Sequence, residues 1–261
     1  MTYLRLIYTF IRLGILNELQ YRSNFWVRLF QSRLGIGTAL IGLATVFNHT
    51  DTLAGWQRSE LLALVGIYFL MVGLISTFIQ PSMEQFLDDV RKGTLDFTLT
   101  KPEEAQLLVS IRRISIWNVL DILMGIGVLV IALVQMGEVI TVRQTLGFVV
   151  ALSTGAVIVY SFWLILATLA FWFIKIENIL VIFDSMYQAG RWPIGIYPPA
   201  LRITLTFLVP VAFAVTVPAE AAVGRLTGAT LLGAIGLAIA LFALSRWFWN
   251  VGIQHYAGAS A

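Results

Sequence analysis

The strongest constraint in this chain is a series of long apolar segments. Residues 34–47, 61–79, 114–136, 145–174 and 230–250 carry only two charged side chains between them, Asp121 and Arg246. A helix needs about 20 apolar residues to cross the hydrocarbon core of a bilayer. In lipid every backbone N–H and C=O must be satisfied, and a helix does that within one segment. Alternation over units of about ten residues, the mark of a membrane barrel, is not visible. Charged residues make up 12% of the chain and mean hydropathy is +0.86; soluble domains carry about twice that charged share. The expectation is an all-α membrane protein.

Placing the spans is straightforward at first. The first runs over residues 25–47, with Arg28 and Arg33 snorkelling to headgroups. The second, 61–79, stops at Pro81, and the third, 114–136, follows directly on Arg112 and Arg113. The fourth, 145–174, is longer than a bilayer needs and should tilt or protrude. The last, 230–250, ends in Arg246, Trp247 and Trp249, which suits an interface anchor. Between the fourth and last lie Pro193, Pro198, Pro199, Pro210 and Pro218, too many for one smooth helix. A short fifth span at 176–192 is expected, then a re-entrant or hairpin element around 199–224 in a broken region, 193–228.

Residues 1–24 show no cleavable signal pattern. Thr2, Arg5, Thr9 and Arg12 share one helical stripe, with Leu6, Ile7, Phe10, Ile11 and Leu13 around it. That suits a helix lying in the membrane interface, or an extension of the first span. With the N-terminus inside and six spans, twelve Lys and Arg fall inside and five outside. Moving Arg191 and Arg202 inside, with the fifth span at 199–217, improves the bias to fourteen against three. Charge counting prefers that second version.

The charge the spans lack is concentrated in residues 80–113. Met83, Phe86, Leu87 and Val90 fall at i, i+3, i+4 and i+7, a short amphipathic helix stopped by Gly93. In "TLDFTLTKP" Leu95, Phe97 and Leu99 alternate with polar residues, an extended piece ended by Pro102. An apolar row among mixed charges is what a docking surface for another protein requires. An ordinary loop whose apolar row rests on the protein's own spans has the same pattern.

"LNELQYRSNFW", "VRKGTLDFTLTKP" and "GRWPIGIYPPALRITLTFLVPVAFAVTVPAEAAVG", in this order on a six-span chain, resemble the ABC-2 type exporter permeases. The resemblance covers nearly the whole chain. It implies an N-terminal interfacial elbow helix, 1–24, and a single transmembrane permease domain, 25–261. A coupling helix at about 82–92, with the block 93–99, would engage a separate ATP-binding cassette subunit. Met83, Phe86, Leu87, Val90, Arg91, Gly93, Leu95, Asp96 and Phe97 are the coupling residues so implied, and 198–224 is the implied re-entrant element on the outside. A second permease copy, identical or related, would complete the pathway. The resemblance further implies a bacterial inner membrane, both termini cytoplasmic, and ATP and Mg on the partner rather than on this chain.

No G-x-x-x-x-G-K-[ST] loop, H-E-x-x-H or G-x-S-x-G motif occurs, and there are no cysteines. His49 and His255 are the only histidines and lie far apart. No metal site, catalytic residue or nucleic-acid partner is therefore expected. Membrane lipid is the remaining partner. Asp121 and Asp184 are the intramembrane polar candidates. Each could line a pathway, and Asp121 could equally hold spans together by an ion pair or hydrogen bond. Small residues Gly35, Gly37, Ala39 and Gly42, with Gly233, Gly236 and Ala240, permit close helix contact. The alternative functions are an integral membrane enzyme on a lipid-type substrate using Asp121, Asp184 or Glu220, and an ion-driven secondary transporter.

Overall fold

A computed structural model describes residues 8–10, 12–16, 22–137, 140–173 and 177–256. Thr2, Arg5, Leu6, Ile7, Ile11, Ile174, Lys175 and Ile176 lie outside the described residues. Those at 8–10 and 12–16 are helical, and Gly14 rests against Ile114.

The long helices are α1 (Arg22–Phe47), α2 (Arg58–Leu74), α3 (Gln80–Lys92), α6 (Val119–Met136), α7 (Val142–Thr168) and α11 (Gly228–His255). Shorter are α4 (Asp96–Leu99), α5 (Ala105–Ile111), α8 (Glu177–Tyr187), α9 (Pro199–Ile203) and α10 (Val217–Ala222). No strand occurs among the described residues. Five helices there are long and apolar enough to cross a membrane, or six if one bent pair counts as a span.

α2 and α3 are one path. A π-helical turn, Ile75–Ile79, joins them into a 35-residue helix, Arg58–Lys92, about 50 Å long at the helical rise. Pro81 therefore does not end the second span. Lacking an N–H, it cannot donate to the Thr77 carbonyl one turn back. That carbonyl instead accepts from the Ser115 backbone N–H at 3.0 Å, and the Ser76 carbonyl accepts from Asn118 Nδ2 at 2.7 Å. The π-turn continues the helix, and the entry to α6 satisfies the freed groups.

This long helix is the central stave: 67% of its apolar window is buried, against 17% for each of α1, α6 and α11. Glycines permit its closest contact. A Cβ on Gly66 would stand 2.6 Å from the Leu129 backbone N, and one on Gly125 2.4 Å from the Leu70 backbone N. The small residues thus serve α2 against α6 before any second chain.

α7 and α11 run in the same direction. Gln144 and Gly224 meet at one end, and Thr168 and Phe171 pack on Gly252 at the other. The chain between them must return. Asp184 lies beside Gln80 and Glu84, Tyr187 stacks on Tyr68, Trp192 is near Gly42, and Gly195 is near Ala54. Residues 177–197 thus traverse the bundle, helical to Tyr187 and in 3₁₀ turns beyond. Next come Pro199–Leu208 and Ala212–Ala222, bent by 76° at Val209–Val211.

Candidate functional site

Two ends of the bundle carry the chemistry, and the loop end is the more elaborate. α3 is capped by Gly93 at φ 69°, the left-handed conformation that favours glycine. Its stripe faces inward. Met83 is fully buried, Phe86 is 1% exposed, and Leu87 is 7% exposed. The Phe86 ring meets Trp249 at 5.2 Å and Phe171 edge-on at 5.5 Å, wedging α3 between the ends of α11 and α7. The apolar row thus belongs to the protein's own core.

The next block is not extended. Thr98 N donates to Leu95 O at 2.8 Å and Thr100 N to Asp96 O at 3.0 Å, so α4 is a helical turn. With no neighbouring strand to pair with, the backbone closes its hydrogen bonds locally. Leu95 and Thr98, one turn apart, point inward, while Phe97 is 73% exposed.

Asp89 is the hub of this end. Its side chain is buried and pairs with Arg112; it also accepts from Gln85 Nε2 at 3.1 Å and Thr94 Oγ1 at 3.0 Å. Arg112 donates to Thr98 Oγ1 at 3.0 Å as well. Ser82 Oγ donates to Arg113 O at 2.8 Å. Every group in the network is partnered by a neighbour of the same loop, which makes it stiff. On the solvent side Glu84, Arg91 and Lys92 are exposed. Lys92, donating to Asp88 at 2.6 Å, holds the Asp88 carboxyl below its usual range, helped by Arg91. Glu104 pairs with Arg246 at 2.5 Å, tying α11 to the loop.

At the opposite end Glu60 is 7% exposed. One of its oxygens accepts from the Gln57 N–H at 2.7 Å and caps α2; the other pairs with Arg225 at 2.8 Å. Arg225 also donates to Gly55 O at 2.8 Å and lies over the Trp56 ring at 5.5 Å. The segment leaving α10 is thus latched to the start of α2. Arg202 donates to Gly195 O at 2.8 Å, so it too lies at this end and not with the loop.

The family model for the ABC-2 family transporter protein matches residues 34–260. The chain belongs to this family. It is an integral membrane permease component of a transporter, not a member of a catalytic family. No curated protein and no solved structure matched the chain.

In this ABC-2 permease the two candidate carboxylates have different neighbours. Asp121 accepts a hydrogen bond from Ser32, joining α1 to α6. Asp184 lines a cavity of about 380 Å³ with Gln80, Glu84, Gln85 and Arg113. Glu220 stands near Arg225, at the other end from Asp184. The three carboxylates of the enzyme alternative do not share one depth. No metal-binding group of His, Cys, Asp or Glu occurs among the described residues. Of the small residues, Gly35 faces Phe69 and Gly42 faces Trp192, while Gly37, Gly233 and Gly236 face open space. Sequence reasoning missed Asp89, Arg112, Glu60 and Arg225. For Asp89 a signal existed: with Ser82 and Phe86 it falls at i, i+4, i+7, on the inward stripe.

Proposed function

We propose that the chain is the membrane-spanning subunit of an ATP-driven exporter, powered by a separate ATP-binding cassette subunit. In this reading the end bearing residues 80–113 is cytoplasmic, with both termini on that side of a bacterial inner membrane, and two permease copies enclose the pathway. Residues 1–24 form the elbow, and the bent pair 199–222 is a re-entrant hairpin on the outer side. The hairpin reading is supported by Gly195 before the pair and Arg225 after it, which both neighbour the Ala54–Gly55 turn. ATP and Mg bind the partner.

One observation carries the proposal beyond family membership: α2 and α3 form a single stave from a locked, charged loop to the latch on the hairpin. A push on the loop end moves a stiff rod, and the rod is fastened to the element on the far side. The docking face is the outward side, Arg91, Lys92, Asp96 and Phe97, rather than Met83, Phe86 and Leu87. Val90 and Leu95 support it from beneath, and Gly93 sets the turn.

Affinity purification from native membranes, with ATP hydrolysis assayed, tests the reading. A stoichiometric ATP-binding cassette protein and vanadate-sensitive ATPase activity are expected. Purification of the chain without such a protein, under conditions that keep other membrane complexes intact, would overturn it.

A further inference from the structure

The first turns of α7 and α11 and the chain leaving α10 enclose a partly open cavity of about 710 Å³ at the Arg225 end. Along the two helices its lining passes from mostly polar at their starts to apolar further on, with Leu146 61% and Val150 40% exposed. Thr141, Arg143, Gln144 and Thr227 stand at the helix starts, on the rim. One to two turns further in, the walls are Leu146, Val150 and Leu231. Gly147 leaves room between them, because a Cβ there would meet only Leu226, at 3.9 Å.

The charge of the rim is one-sided. No carboxylate lines the cavity, and Arg143, exposed, has no ion pair among the described residues. Thr141 and Thr227 already cap their helices by accepting from the Gln144 and Thr230 N–H groups. The cation available to a ligand is therefore the Arg143 guanidinium. A polar, positive rim at the membrane surface above an apolar floor one to two turns deep matches one amphiphile in both charge and orientation. We propose that this cavity binds an anionic phospholipid from the leaflet on the Arg225 side, its phosphate on Arg143 and its first acyl carbons against Leu146, Val150 and Leu231. Neither the family match nor the coupling reading assigns this site, and it stands whether or not an ATPase partner is found.

Native mass spectrometry of the purified full chain, titrated with phosphatidylglycerol or phosphatidylcholine of matched acyl chains, tests it. One phosphatidylglycerol per chain should be retained about tenfold better, the scale of one charge-assisted hydrogen-bonded contact. Arg143→Gln should reduce that retention to the phosphatidylcholine level. Gly147→Leu, which fills the floor, should weaken both lipids with unchanged thermal melting. Equal retention of the two lipids, or full retention by Arg143→Gln, would overturn the proposal. So would loss of the bound lipid whenever two copies of the chain associate, since the cavity would then be an interface.

Discussion

The two ends of the central stave are fastened by the same device used differently. Asp89 near its C-terminus and Glu60 near its N-terminus are both buried carboxylates, and each holds an arginine from another segment. Arg112 belongs to the loop that directly follows α3, and the Asp89 cluster also takes in Gln85, Thr94 and Thr98. Arg225 comes from the far half of the chain, and among the described residues Glu60 has no partner outside Arg225 and its own helix cap. One end is a self-contained knot and the other joins two bodies. Breaking the knot should unfold something, whereas breaking the latch should uncouple something.

The largest effect is expected beneath the knot, where its helix packs on the rest of the bundle. Phe86→Asp places an unpaired charge between Phe171 and Trp249. It should cost more than about 4 kcal/mol and remove folded protein from the membrane, measured as yield of monodisperse material. Phe97→Asp, at an exposed position, should leave yield and melting unchanged. Asp89→Ala comes next. It leaves Arg112, one-third exposed, without its partner, and should cost about 2 kcal/mol, with new protease cleavage within residues 93–113. A normal melting curve and intact loop would show that the cluster is not a knot.

Arg225→Ala is smaller in stability and larger in function. The arginine is 40% exposed, so about 1 kcal/mol is expected. Substrate transport should fall several-fold at unchanged ATPase subunit binding. The exchange Glu60→Arg with Arg225→Glu should restore part of the transport, and equal loss in single and exchanged variants would refute the latch. The smallest effect belongs to Pro81→Ala. A restored N–H can donate to Thr77 O, releasing Ser115, with a stability change below about 1 kcal/mol. Faster hydrogen exchange at the Ser115 amide is the readout.

The spans were legible because apolar runs of that length admit only helices in lipid. What stops a helix was less so. Pro81 reads as a terminator by its local chemistry, yet Ser115 and Asn118, more than thirty residues on, supply the partners that let the helix continue. The Leu95, Phe97, Leu99 alternation reads as a strand, but nothing lies alongside to complete a ladder. Periodicity found the stripe through Met83, Phe86 and Leu87 and could not say what it faces; Trp249 and Phe171 decide that from the end of the chain. The Glu60–Arg225 latch left no trace, because neither residue's local pattern announces a partner in another body. Charge counting groups Arg202 with the 80–113 loop, whereas its guanidinium is satisfied by the Gly195 and Tyr197 carbonyls at the opposite end of the bundle.

The proposed coupling requires an ATP-binding cassette subunit on the outward face of the knot. The chain has no cysteine, so Phe97→Cys gives a single reactive site there, and Leu232→Cys, on an exposed face of α11, serves as the control. Crosslinking in native membranes should yield one adduct from position 97 containing an ATP-binding cassette protein, and none from position 232. Absence of that adduct at position 97, with the variant folded and inserted, would rule out docking on this face.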